Sequence, residues 1–151
     1  MVFRTAYRIT GNAADAEDAM QTIFLRLLRQ AAPSAAPGQE ESYLRRAAVN
    51  ASLDVLRQRQ ASRTLPLTEA AGRLEQPAAE FGAGLKDCLR RALKKLSDRS
   101  AEIFALRYFE DFSNPQIAAA LGISQVVVAV SLHRTRRQLQ KEIRACMGGS
   151  I

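Results

Sequence analysis

Tryptophan is absent from this chain of 151 residues, histidine occurs once and cysteine twice. The single imidazole, His133, lies in a helical stretch, and Cys88 and Cys146 are far apart in sequence. Neither a zinc site nor a disulfide framework is indicated, and two idle or buried thiols are expected. Long apolar runs are missing too. No stretch approaches 18 apolar residues, and MVFRTAYR is too short for a secretory signal, so a cytoplasmic protein without membrane insertion is expected. There is no clustered histidine, paired catalytic carboxylate, phosphate-cradling glycine loop or metal-ligand spacing. An enzyme is the least favoured class, and no metal or cofactor is expected. No strand periodicity competes with helix: Val and Ile recur at helical spacing, Ala is abundant, and Pro and Gly cluster between periodic runs.

Positive charge is what the chain has in excess. The formal net charge is +7, unevenly spread. From Leu85 onward 12 Lys and Arg face 6 Asp and Glu, whereas residues 64–84 are net −2. A basic field of this kind draws a polyanion and makes its binding salt-dependent, without distinguishing DNA from RNA or an acidic membrane.

The segment Ser113 to Leu139, SNPQIAAALGISQVVVAVSLHRTRRQL, is the most informative. Ser113 can cap a helix whose third residue is Gln116, with Pro115 in the first turn, where its missing N–H costs nothing. Ile117, Ala118 and Leu121 follow at helical spacing, and Gly122 supplies a left-handed stop. Ser124 then caps a second, longer helix with one stripe through Val128, Leu132, Thr135, Leu139 and Ile143. The opposite side carries Arg134, Arg136, Arg137 and Lys141. Such a helix buries one face and offers cations on the other, as a helix entering the major groove does; a solvated amphipathic hairpin is the plainer alternative.

The N-terminal part reads as helical as well. Gly11 and Asn12 separate a short first helix from a longer one, capped by Asn12, with Asp15, Glu17 and Asp18 near its positive end. Ala16, Met20, Ile23 and Leu27 form the stripe expected to be buried; Asp15, Asp18, Thr22, Arg26 and Arg29 are expected on the open side. After the turn AAPSAAPG, a third helix from about Ser42 to Gln60 buries Leu44, Ala48, Leu53 and Leu56 and exposes Arg45, Arg46, Arg57 and Arg59. Residues 61–84 hold Pro66, Pro77, Gly72, Gly82 and Gly84 without periodicity and read as a linker. Fully extended, those residues would span ~80 Å, so the flanking parts need not touch. The expected fold is all-α: two small helical domains joined by a flexible linker, the second with a helix-turn-helix. Each part is small enough for docking onto a large partner to add stability, which favours an assembly subunit.

Three segments carry a family resemblance, in order and over nearly the whole chain. AEDAMQTIFLRLLR resembles the polymerase-binding helix of bacterial sigma factors of the extracytoplasmic-function (ECF) group. YLRRAAVNASLDVLR is similar to the helix of that group that melts and reads the −10 promoter element. LSDRSAEIFALRYFEDFSNPQIAAALGIS with LHRTR is similar to its −35-reading domain. The resemblance implies sigma region 2 over residues 1–60, a linker over 61–84, and sigma region 4 over 85–147. It implies a promoter-specificity subunit that binds core RNA polymerase and promoter DNA and leaves the chemistry to the polymerase.

The same resemblance assigns residues. Asp15, Asp18 and Gln21 fall in the polymerase-binding segment; Asp18 and Gln21 match positions that grip the large subunit's coiled coil, and Thr22 stands where an acidic residue is common. Asn50 matches a position near a flipped −10 base, where an amide can both donate and accept. Tyr43 stands where Trp is common and can stack on a base or simply anchor the core. Arg45, Arg46 and Arg57 are candidate phosphate contacts, and Asp54 can pair with Arg57. For the −35 element the candidates are Ser124, Gln125, Val127, Val130, Ser131, Arg134, Arg136 and Arg137.

Two departures from the family pattern stand out. Where relatives place Thr, Lys, Ser and Arg, this recognition helix has Val127, Ala129, Val130 and Ser131. Bidentate reading of guanine is lost there, leaving contact with thymine methyls, hydrogen bonds from Ser131 and Gln125, and phosphate clamping. A sticky Val127/Val130 patch for an anti-sigma factor is the rival use. The chain also starts at MVFRTAYRITGN, where relatives carry more helix, so the face under Phe3, Tyr7 and Ile9 is expected to be poorly covered and the first domain weakened. A stand-alone helix-turn-helix regulator and a truncated polymerase-binding antagonist are the alternative functions.

Overall fold

The computed structural model describes residues 1–29, 39–63 and 81–148, with the backbone alone described at 59–63 and 81–83. Among the described residues there are seven helices and no strand: α1 (Val2–Thr10), α2 (Ala13–Arg29), α3 (Glu40–Arg63), α4 (Phe81–Lys94), α5 (Asp98–Tyr108), α6 (Asn114–Leu121) and α7 (Gln125–Cys146).

Local chemistry sets the ends of these helices. Gly11 ends α1 with φ 88°, its N–H donating to the Tyr7 carbonyl. The Asp15 N–H donates to Asn12 Oδ1 (2.8 Å) and Asn12 Nδ2 to Asp15 Oδ2 (3.0 Å), so Asn12 starts α2 as expected. Ser97 caps α5 through the Ser100 N–H. Ser113 and Gln116 form a complete capping box on α6, and Ser124 accepts from the Val127 N–H at the start of α7. Gly122, at φ 71°, turns the chain between them, and the two helices are bent by 110°, within the range of a helix-turn-helix.

Helices α1, α2 and α3 pack on one another through small residues, with Ala6, Ala16, Ala19, Ala48 and Ala51 letting the backbones approach around Ile23 and Val55. The other flank of α3 is buried as well. Val49, Leu53 and Leu56, with Ile9 of α1, join one continuous core with Leu93 of α4, Ile103, Phe104 and Leu106 of α5, Ile117 of α6, and Val128, Leu132 and Leu139 of α7. Each such side chain adds about 1.5–3 kcal/mol when fully removed from water, and those on both sides of the junction belong to this one cluster. The linker reading allowed halves that never touch; here they share a core.

Several expectations change. Helix α3 begins two residues before Ser42 and runs to Arg63, and α4 already begins at Phe81. Both ends of the expected 61–84 linker are therefore helical, while 64–80 lie outside the described residues, as does the AAPSAAPG turn. The idle-thiol reading is corrected: Cys88 and Cys146 form a disulfide with Cα atoms 5.8 Å apart, because α4 and α7 pack side by side. Ile9 is fully buried, contrary to the expected thin cover, whereas Phe3 and Tyr7 are exposed and stack tilted with centroids 6.1 Å apart.

Candidate nucleic-acid interface

The recognition helix α7 presents its expected stripe to the core, with Val128, Leu132, Thr135 and Leu139 buried. Its outer face opens on Val126, Val127 and Val130, which are 71%, 50% and 43% exposed. Apolar side chains this open at the start of a helix contribute little to the core and leave an exposed apolar patch. Val126, the most exposed, did not stand out in the sequence because its significance depends on which way the first turn faces. Stepping by three and four, Val127 and Val130 lead into Arg134, Arg137, Lys141 and Arg144 on the same face. Gln125, Arg134 and Arg137 are exposed and Ser131 is half-buried. The Ser124 hydroxyl caps the helix. Arg136 donates to the Tyr108 hydroxyl at 2.5 Å, which anchors its guanidinium beside α5.

On α2, Asp18 and Gln21 are exposed and share a stripe with Leu25 and Leu28, which with Phe24 leave half or more of their surface open. This apolar continuation was not singled out in the sequence, where Leu27 marked the buried side. Asp15 departs from its expected exposure: it is buried, and its carboxylate meets Asn12 at the helix start.

Of the five −10 candidates on α3, Tyr43 is 38% exposed, and the side chains of the other four are held by polar contacts. Arg45 donates to Glu41 Oε2 (2.8 and 3.1 Å) and to Glu110 Oε1 (2.6 Å). Its pKa is raised, first by the hydrogen bond to Glu41 and then by that to Glu110, against the effect of burial. Arg46 donates through Nε to Glu102 Oε2 (2.5 Å), and Asn50 Nδ2 donates to the same oxygen (3.0 Å). Arg57 pairs with Asp98 at 3.0 Å and, more loosely, with Asp54 at 3.8 Å, as the i,i+3 spacing implied. The free basic surface expected on α3 is therefore occupied. Arg59 lies where side chains are not described. Glu102 and Glu110 were not read as functional, because what marks them is burial, which local sequence does not reveal.

Two further contacts tie α1 to the second half. Arg8 donates to the Phe109 carbonyl (2.8 Å), and Arg90 Nε to the Ile9 carbonyl (3.1 Å). Burial holds the Arg90 pKa below its usual value, partly opposed by Asp87.

A helix-turn-helix with an open reading face, joined to a helical unit that carries an exposed acidic-apolar stripe, defines a DNA-binding protein built to dock on a larger assembly. The family description Sigma-70 region 2 matches residues 1–62, and Sigma-70, region 4 matches residues 86–139. The chain is similar to the ECF RNA polymerase sigma factor SigE of Mycolicibacterium smegmatis, with 35% identity over 92% of this chain, and spans 56% of that protein's length. It is 31% identical to the ECF RNA polymerase sigma factor SigL of Mycobacterium tuberculosis, over 93% of this chain and 81% of that protein. It is 28% identical to the RNA polymerase sigma-E factor of Streptomyces coelicolor, over 95% of this chain and 80% of that protein. The chain belongs to the ECF RNA polymerase sigma factors, the promoter-specificity subunits of bacterial RNA polymerase. Sigma factors are non-catalytic initiation factors, in keeping with the sequence reading. No single helix among the described residues is long and apolar enough to cross a membrane.

Proposed function

We propose that this chain places RNA polymerase on promoters from the cytoplasm through three surfaces. Residues 1–60 act as region 2, with α2 docking on core polymerase and α3 engaging the −10 element; residues 85–147 act as region 4, with α7 on the −35 element. The observation that supports this most is the α7 outer face, where Val126, Val127 and Val130 run into Arg134 and Arg137. Thymine methyls would meet the valines while the arginines clamp phosphates, giving a −35 element read by methyl contact and groove shape.

On α2, Asp18 and Gln21 supply the polar grip and Phe24, Leu25 and Leu28 the apolar area around it. A solvent-facing carboxylate paired with a partner cation at an interface rim supports binding modestly. Asp18→Ala is expected to weaken core binding by about fivefold, equivalent to ~1 kcal/mol, read as the shift in half-saturation when core polymerase is titrated in a run-off assay.

The valine patch also supports a second use: an anti-sigma factor covering Val126, Val127 and Val130 would block DNA directly. Run-off transcription from a promoter library with purified core polymerase, with and without the chain, tests the main reading. Enriched transcripts with a T-rich −35 element are expected; core binding without transcripts would favour an antagonist.

A further inference from the structure

Resting on the −35 role proposed for α7, we infer that the end of α5 supplies a further backbone-phosphate site for the same duplex, in which the Tyr108 hydroxyl is a positioning residue for the Arg136 guanidinium. Helical geometry sets the need. Arg134 and Arg136 are two residues apart, so their side chains leave α7 about 200° apart around its axis. A helix ~10–12 Å across in a major groove ~12 Å wide has one sugar-phosphate strand along each flank. Arg134 continues the valine face towards one strand, and Arg136 leaves on the flank beside α5, towards the other. A long guanidinium side chain gives up rotamer freedom when it clamps a phosphate, and a partner that fixes it beforehand spares that loss.

Tyr108 is itself fixed from the core outward. Phe104 belongs to the shared core, and its ring meets that of Tyr108 with centroids 4.7 Å apart. Tyr108, the last residue of α5, remains 44% exposed, and its hydroxyl accepts from Arg136 Nη1 at 2.5 Å. Arg107 Cζ lies 5.7 Å from the centre of the same ring. The phenol thus stands between two guanidiniums. Neither has an ion pair among the described residues, whereas Arg91 and Lys95 of the same half pair with Asp87 and Glu142. Two cations brought to one exposed ring, with no carboxylate between them, make a positive spot whose complement is an anion. The choice of a phenol matters here. A carboxylate in its place would hold the arginine equally well but cancel its charge, whereas a neutral hydroxyl holds it and leaves the charge for a phosphate.

Binding of a fluorescein-labelled duplex of randomised sequence to the full-length chain, in which Tyr108 and Arg136 are both exposed, tests the inference by anisotropy at several salt concentrations. Arg136→Ala is expected to bind about fivefold more weakly and to reduce the slope of log K against log salt by about 1, one phosphate contact being lost. Tyr108→Phe keeps the ring on Phe104 and removes the hydroxyl alone. It is expected to bind about threefold more weakly with the slope unchanged, because the cation remains but is no longer held, and to add nothing in the Arg136→Ala background. A loss that came only from a weakened fold would persist in that background. Parent-like binding by Tyr108→Phe, or the same loss with Arg136 already replaced, overturns the inference. Arg137→Ala, on the valine face, keeps the two ideas apart. If it weakens binding while Arg136→Ala and Tyr108→Phe do not, α7 still meets duplex DNA and the Tyr108 site falls alone. If none of the three changes binding, or the parent does not bind the duplex, the DNA-facing role of α7 falls and the inference falls with it.

Discussion

At the scale of single residues, Gly11 shows how one side chain's absence joins two parts of the fold. Its φ of 88° suits glycine, and a Cβ there would lie 2.5 Å from Arg90 Cζ, the group that reaches over to the Ile9 carbonyl. Gly11→Ala is expected to cost about 1–3 kcal/mol from backbone strain and the displaced guanidinium, seen as a lower Tm in thermal unfolding. Val130→Ser tests the reading face: losing an apolar contact with a thymine methyl should erase a T preference at one −35 position, worth about 1 kcal/mol. Unchanged selection from the promoter library would sink the methyl reading. Gly11 was legible as a helix stop because its signal is local. The approach of Arg90, 79 positions away, was not legible, nor was the burial of Asp15, since the sequence gives the charge of a side chain and not the company it keeps.

Among the elements, α7 packs on one face and presents the proposed reading surface on the other. Its stripe of Val128, Leu132, Thr135 and Leu139 was readable because helical periodicity alone assigns it, and all four are buried. Caps at Ser113 and Ser124 were readable for the same reason, each being a hydrogen bond over three residues. Removing a phosphate clamp on this helix should act on affinity and not on sequence choice. Arg137→Ala is expected to weaken region 4 binding to duplex DNA uniformly and to reduce the slope of log K against log salt by about 1, measured by anisotropy at several salt concentrations. Helix α3 was only half legible. Its Leu53 and Leu56 were rightly placed inside, but a helix buried on two flanks shows no clean stripe, so its arginines read as a free basic surface when they are paired.

For the molecule as a whole, two halves that composition separates are joined by packing, ion pairs and the proximity of α1 to α4. The sequence fell short here because such contacts are long-range, and the Pro- and Gly-containing stretch between them permits both joined and separate arrangements. The Cys88–Cys146 disulfide belongs to the same scale, closing a loop with a sequence separation of 58. By loop-closure entropy its reduction should cost about 4 kcal/mol of stability. Thermal unfolding with and without a thiol reductant is expected to show a clearly lower Tm in the reduced protein, and Cys88→Ser should melt like the reduced parent without responding to reductant.

That cross-link also has an order in time. A growing polypeptide emerges from its N-terminus, and everything the bond encloses, from the middle of α4 through α5 and α6 to the last turn of α7, is synthesised before Cys146 exists. In the folded chain the packing of α4 beside α7 holds the two Cα atoms 5.8 Å apart, within the span of the bond. The bond is thus a late cross-link, one that can close only after every cap and core residue of the helix-turn-helix between the two sulfurs has been synthesised.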